Sequence, residues 1–524
     1  MAPGRRRSAV VMALLVTALS GIGYTITSTA GPALVTDLDG FHLYGWMVAG
    51  YALAATITLP IFGKLSDVHG RRPLLLWSLG LFAVGSTLAG LAPSMLWLIP
   101  ATIIRGLGGG GMMSLAIATL ADVFAPRERA RWFGAASMVY GVASIAGPIA
   151  GGVITDRLGW RAVFLVLAPG AALGWVLVRA TLPRPSVEPT RRLDLPGSVL
   201  LTCSLTAVML GFTCGGTTFS WGSWQEIIIF SCGAVMLTMF VLVERRAHDP
   251  MLAPSLFRSR IFTLSLLISF VMSGAWYAAL SFTPLFIQGV TGQSAQRSGL
   301  ILAPMMAAFA AAAVVSGQAL TRTGRHKLLS LAGASLLMLG FAIFVRLPSF
   351  SGSTEVILAM VATGLGIGIL TPVVTIGAQT AAPRDMVGTV IASRGLFSNM
   401  GSAVLVPMMT AVLVNGFRHG PPHGAPDHLR AQLGGGALDP RQFLTEQSQA
   451  QLGARLRALP NGETLYHELL ASVHGALTSG LTDVYVVGLV LSCGVGILVI
   501  ALPAAFPGIS GQERRRTGRR IGVV

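Results

Sequence analysis

The sequence predicts an all-α polytopic membrane protein of about fourteen transmembrane helices. Three observations predict it. The 524 residues are 53% hydrophobic and only 11% charged, with a mean hydropathy of +0.70, which is more apolar surface than a water-soluble chain can bury. Apolar runs of about 20 residues, the length that crosses a bilayer as a helix, recur from end to end. The net charge of +17 gathers in alternate short connections, which is the signature of membrane topology and excludes a nucleic-acid-binding role for the cations.

Taken in order, the runs fall near 9–33, 44–64, 73–92, 95–123, 132–155, 161–182, 197–214, 226–244, 262–287, 298–320, 327–346, 355–380, 388–414 and 481–506, about fourteen spans. Arg127, Arg129 and Arg131, then Arg184, Arg191 and Arg192, then Arg245, Arg246, Arg258 and Arg260, then Arg322 and Arg325 mark alternate connections. With an even number of crossings, both termini, carrying Arg5–Arg7 and Arg514–Arg516, are expected in the cytoplasm. Met1–Tyr24 has the flanks of a cleaved signal peptide, but removing it would leave the architecture one helix short. The expected divisions are an N-terminal bundle at 1–182, a connector with an additional helix pair at 183–254, a C-terminal bundle at 255–506 and a basic tail at 507–524.

The first run carries Thr25, Thr27, Ser28 and Thr29. Hydroxyls in lipid either bond to their own backbone or line a cavity, and the sequence leaves both open. Between the second and third runs stands Gly63-Lys64-Leu65-Ser66-Asp67-Val68-His69-Gly70-Arg71-Arg72. Gly63 is expected at a close backbone approach and Gly70 at a positive-φ turn. Gly317 to Lys327 is a weaker copy of this loop, so the chain reads as duplicated, as transporters often are. The fourth run holds Arg105 ahead of Gly106-Leu107-Gly108-Gly109-Gly110-Gly111. A cation in mid-span must face a wet cavity or a partner. Asp122 closes the same run, and Asp37 and Asp156 stand at other membrane edges. No Asp, Glu or His occupies the middle of any span.

The fifth run reads Gly134, Ala143, Gly147-Pro148 and Gly151-Gly152, small residues for close helix contact with a proline to bend or weaken it. The second bundle offers Trp276, Tyr277, Thr371 and Thr375 as cavity candidates and Arg394 as a second embedded cation. Residues 416–480 form a long extracytoplasmic segment, expected as a helical hairpin over the outer mouth. Asp439-Pro440 and Asn461 would start its helices, and Leu469, Val473, Leu477 and Leu481 carry the second into the last span. It is either a solvated feature or a platform for lipid or an envelope partner. His419, His423 and His428 lie in Gly/Pro-rich sequence that does not build a metal site. The four cysteines are scattered singly, without metal or redox spacing. No metal or other cofactor is expected.

The Gly63–Arg72 loop resembles the signature loop of the major facilitator superfamily: Gly, three residues, Asp, two residues, Gly, two basic residues, departing at Val68, where the family usually has Arg. The Arg105 segment resembles the family's helix-four motif with Gly108 in place of Gln. The fifth run resembles the antiporter motif of exporters, with Ala143 in place of a glycine, and Trp160-Arg161 opens the sixth as in the family. The extra pair and the connector from Glu244 to Phe257 resemble the fourteen-helix drug:proton antiporter branch. That resemblance implies a major facilitator fold, two six-helix bundles with the extra helix pair inserted between them. It also implies that helices one, four, nine and twelve line the cavity, that Asp67, Arg71 and Asp122 form a gate network, and that Arg105 acts in proton coupling or substrate contact. Gly23 and Ser28 stand where the branch carries Asp and Asn.

The function expected is therefore secondary active export of small lipophilic or cationic compounds by alternating access, with proton antiport. The setting expected is a monomer in a bacterial cytoplasmic membrane. Arg105, Asp37 and Asp156 are the coupling or substrate candidates. An exporter or flippase of a lipid or secondary metabolite is the alternative within transport. A membrane enzyme or sensor scaffold is the alternative outside it, but no clustered nucleophile, base or metal ligands appear in any span.

Overall fold

Prolines decide where the first and sixth spans break. The computed structural model describes residues 3–38, 40, 43–124, 126–182, 195–215, 219, 222–246, 254–347, 353–381, 387–419 and 462–503. The first span is expected as one helix but forms α1 (Pro3–Thr25), a 3-10 turn (Ile26–Ser28) and α2 (Gly31–Asp37). Pro32 explains the break, because its ring clashes with the carbonyl four residues back and lacks an N–H to donate. The sixth span is likewise split into α7 (Trp160–Leu165) and α8 (Leu167–Thr181), with Pro169 in the first turn of α8.

Between them run α3 (Tyr44–His69), α4 (Arg71–Gly90), α5 (Met95–Val123) and α6 (Pro126–Leu158). The inserted pair is α9 (Leu195–Cys214) and α10 (Trp224–Arg246). The second half comprises α11 (Arg260–Gly289), α12 (Ala295–Thr323), α13 (His326–Val345), α14 (Ser353–Thr380), α15 (Val387–His419) and α16 (Gly462–Ala501). No strand occurs among the described residues. Among the described residues, thirteen spans are long and apolar enough to cross a membrane, and α9 adds a shorter apolar stretch, Val199–Phe212. The helix expected from the Leu469–Leu481 stripe is described from Gly462 and continues into the last span, with Leu477 and Leu481 buried; Asn461, expected to start it, lies outside the described residues. Asp439 and the rest of 420–461, the connector at 183–194 and the tail from 504 lie outside the described residues.

The second helix of each half packs against the fifth helix of the other, α3 on α15 and α6 on α12, as a pseudo-two-fold arrangement requires. The inserted pair sits to one side: α9 leans on α3 and α15, and α10 packs mainly on α9. The outer surface of α10 exposes Ile227, Ile228, Val235 and Leu242, as α4 exposes Trp77 and α16 exposes Ile497, an apolar perimeter suited to lipid.

Polar backbone left over by proline is taken up across helices. Pro148 in α6 has no N–H, which frees the Ser144 carbonyl, and the Thr25 hydroxyl donates to that carbonyl at 3.2 Å. The second half repeats the device: Pro372 lies inside α14, and the carbonyl four residues back, that of Gly368, accepts from the Ser316 hydroxyl of α12 at 3.4 Å.

Gly70 has φ +85° between α3 and α4, and Gly324 has φ +65° at the end of α12, so both copies of the basic loop turn on a glycine. Gly63 corrects the sequence expectation. A Cβ built there meets nothing within 4 Å, because the helix faces open space at that point and no second backbone approaches it.

Candidate functional site

Two groups of contacts define the site: a closure between the halves and a cationic pocket beneath it. Gln288 Nε2 of α11 donates to the Thr29 carbonyl at 3.1 Å, and Tyr44 Oη of α3 donates to the Ser281 carbonyl at 3.3 Å. Asp156, at the end of α6, accepts from the backbone N–H of Ala295 at 3.0 Å and of Gln296 at 2.6 Å. One carboxylate therefore caps the first turn of a helix in the opposite half, where unpaired N–H groups and the positive end of the helix dipole favour an anion. These bonds all lie at the Asp37 end of the molecule.

The antiporter-motif residues of α6 build the same closure. Gly147 and Gly151 lie against Thr25, Ile26 and Thr29, whereas Gly152 lies against Ala295 and Gln296 of α12, and the backbone of Pro148 lies against Gly299. Gly134 belongs to α6, but its packing lies outside the described residues. Asp37 acts within its own half: Trp160 Nε1 donates to it at 2.9 Å and Arg161 Nη1 at 2.5 Å, tying α2 to the start of α7.

Under the closure lies a pocket of about 40 Å³. It is lined on α3 by Tyr44, Met47, Val48 and Tyr51, on α5 by Thr102 and Arg105, and on α11 by Tyr277, Leu280 and Ser281, with Thr27, Ser28 and Phe164 completing its wall. Arg105 is 3% exposed. Its guanidinium carbon sits 4.7 Å from the Tyr51 ring centre and 5.1 Å from that of Phe164, within cation–π range. Its Nε and Nη1 have no hydrogen-bond partner.

Of the sequence candidates, Arg105, Ser28 and Tyr277 meet here, and the others do not. Thr25 is spent on α6. Trp276, one position round α11 from Tyr277, packs on Phe309 of α12 instead, with ring centres 5.1 Å apart. Thr371 and Thr375 donate to their own helix, to Ile367 O and Thr371 O. Arg394 stands about two turns into α15, with its Nε buried and without a partner, away from the pocket lining. The expectation that helices one, four, nine and twelve form the lining thus holds for three of them here, and the second and sixth spans contribute as well. Sequence reasoning missed Tyr44, Met47, Val48 and Tyr51, although their i, i+3, i+4, i+7 spacing marks one helical face.

The two glycines that stand in for polar family residues have steric explanations. A Cβ at Gly23 would lie 2.6 Å from Cζ of Phe82, which is wholly buried, so an aromatic ring occupies the space an acid would need. At Gly108 a Cβ would come within 2.8 Å of the Phe82 Cα, and Ser78 and Phe82 backbone atoms lie nearer still. At the opposite, arginine-rich end, Arg71 Nε donates to Asp122 at 3.0 Å, and Arg71 also donates to the Ser66 hydroxyl. Two members of the expected gate network are therefore joined, while the Asp67 side chain lies outside the described residues. No group of three or more metal-ligating side chains occurs among the described residues.

A membrane bundle whose halves meet by a pseudo-two-fold, with a buried charge at their junction, is the architecture of a transporter. The family model described as Major Facilitator Superfamily matches residues 13–406, and the chain belongs to that superfamily. It is 31% identical over 404 residues to the multidrug transporter protein MdtP of Bacillus subtilis, covering 77% of this chain and 74% of that protein. With multidrug resistance protein 3 of the same organism it shares 28% over 486 residues, 92% of each chain. An efflux pump of the fungus Gibberella moniliformis, FUS6, is 30% identical over 434 residues, 81% of this chain and 77% of that one. Among solved structures, a bacterial homolog of the human lysosomal transporter Spinster in an inward-facing, unoccupied conformation superposes with a TM-score of 0.61 at 16% identity, over 97% of this chain and all of the other. The chain is a multi-pass membrane transporter, not an enzyme, and its relatives support a role in efflux.

Proposed function

We propose that the protein is a secondary active exporter of lipophilic compounds that works by alternating access and is driven by proton antiport. The observation that carries this reading is the cross-half cap made by Asp156 on α12. It is a bond between the two moving bodies that exists only while the Asp37 end is closed. By the positive-inside rule the arginine-rich end is cytoplasmic, which makes the present arrangement inward-facing. With Phe82 filling the space beside Gly23, the coupling proton has no acid in the first helix to occupy. Asp156 supplies a carboxylate at the membrane edge: its bonds to two backbone N–H groups hold the outer closure, and that end opens only when they break.

The test is efflux of a neutral lipophilic dye from proteoliposomes under an imposed pH gradient, comparing the unaltered protein with Asp156→Ala. Gradient-driven export should fall by about tenfold or more in the variant while dye binding persists. Export that ignores the gradient in the unaltered protein would overturn antiport and leave a uniporter or lipid carrier.

A further inference from the structure

The charge at the centre of the pocket has no counter-ion among the described residues. Arg105 is almost wholly buried, two of its nitrogens have no acceptor, and no carboxylate lines the cavity. Two acids of the closure at the same end are engaged elsewhere, Asp37 by Trp160 and Arg161 and Asp156 by the start of α12. The rings of Tyr51 and Phe164 offset part of the charge, but a ring face does not satisfy the fork of N–H donors that a guanidinium presents. Neighbouring neutral groups do not take up these donors: the hydroxyls of Ser28, Thr102 and Tyr44 are oriented on the carbonyls of Thr25, Ile99 and Ser281, and neither Nε nor Nη1 of Arg105 reaches an acceptor. What the pocket lacks is an anionic acceptor. A volume of about 40 Å³ holds a few waters, which leaves room for a small anionic head beside the guanidinium.

Resting on the exporter reading of this same pocket, we infer that the transported class is an amphiphilic carboxylate, its head held by paired N–H···O bonds from Arg105 and its apolar portion against Met47, Val48 and Leu280. Paired bonds of this kind are the strong mode of guanidinium recognition. The same arrangement selects against lipophilic cations. A like charge about 5 Å from Arg105, in surroundings of effective dielectric about 20, weakens binding on the order of a hundredfold.

The experiment is equilibrium binding to the full-length protein in phosphatidylcholine nanodiscs, corrected against protein-free discs, with radiolabelled dodecanoate as the probe. Dodecyltrimethylammonium and dodecyl phosphate serve as competitors with the same tail. Dodecanoate should bind at least about tenfold more tightly than the ammonium compound. Arg105→Lys should keep that order with weaker affinity, and Arg105→Gln should erase it. The ammonium compound binding as tightly as dodecanoate, or an undiminished preference in Arg105→Gln, would overturn the inference. Dodecyl phosphate as the strongest ligand would overturn the carboxylate assignment in favour of a phosphate head. The comparison within the unaltered protein decides the question even if a variant fails to fold. Neutral-dye export that survives a failed binding test would sink the carboxylate and spare the exporter; charge-selective binding without export of any compound would do the reverse.

Discussion

At the scale of single residues, the glycines of α4 and α5 show that the same substitution changes sign with its surroundings. A Cβ at Gly80 meets nothing within 4 Å, whereas one at Gly108 runs into the backbone of α4. Replacing a helical glycine by alanine gains about 0.5–1 kcal/mol of backbone propensity, and Gly80→Ala should show that gain. Gly108→Ala should instead cost about 1–3 kcal/mol, the usual range for overpacking, because backbone cannot rotate away as a side chain can. Thermal midpoints in detergent should therefore rise for one variant and fall for the other. A rise in both would mean that α4 and α5 are further apart than described. The steric reading also explains why two polar family positions are glycine here, and it turns attention from the first helix to the membrane edges for proton coupling.

At the scale of elements, proline and its acceptor act as a unit. If Thr25 is held on α6 because Pro148 frees the Ser144 carbonyl, Thr25→Val should cost about 1 kcal/mol, the net worth of a hydrogen bond. The cost should shrink toward zero in a Pro148→Ala background, where the helix reclaims its own carbonyl. A double-mutant cycle on thermal stability reads this coupling directly, and strictly additive costs would remove the link. Much of this level was legible in the sequence. Apolar runs located the spans, Gly70 marked the first basic turn, and the stripe from Leu469 to Leu481 carried α16 into the last span. What was not legible was facing. Thr25 fitted a cavity or a backbone bond equally well from spacing alone, and Trp276 and Tyr277 are neighbours in sequence that point into different surroundings. Gly63 satisfied a loop pattern without the close contact that pattern suggested. Each of these depends on which helix lies opposite, which is a property of the packed halves and not of the local sequence.

At the scale of the whole molecule, the pseudo-two-fold makes the closure at the Asp37 end a balance and not a fixed seam. The α6–α12 contact consists of small residues and one carboxylate, with Gly152 against Ala295 and Asp156 on the first N–H groups of α12. Small residues allow close approach without interlocking, so the halves can part cleanly. The cap then decides the balance, because a helix N-terminus without its anion loses about 1 kcal/mol. Removing it should shift the ratio of closed to open at this end by about fivefold. The Arg71–Asp122 pair lies at the other end and is half exposed, so its weak attraction bears on the arginine-rich side. Spin labels at Leu91→Cys and Arg297→Cys, both on exposed positions at the Asp37 end of opposite halves, report this opening by pulsed dipolar distance measurement. Asp156→Ala should enlarge the long-distance population about fivefold, whereas Asp122→Asn should not enlarge it. If both variants opened this end alike, the loss of any charge would be loosening the bundle generally, and Asp156 would be no latch. If neither did, the halves would be held by the α3–α15 contact instead, where Gly45 packs on Thr410, and the coupling step would have to be sought there.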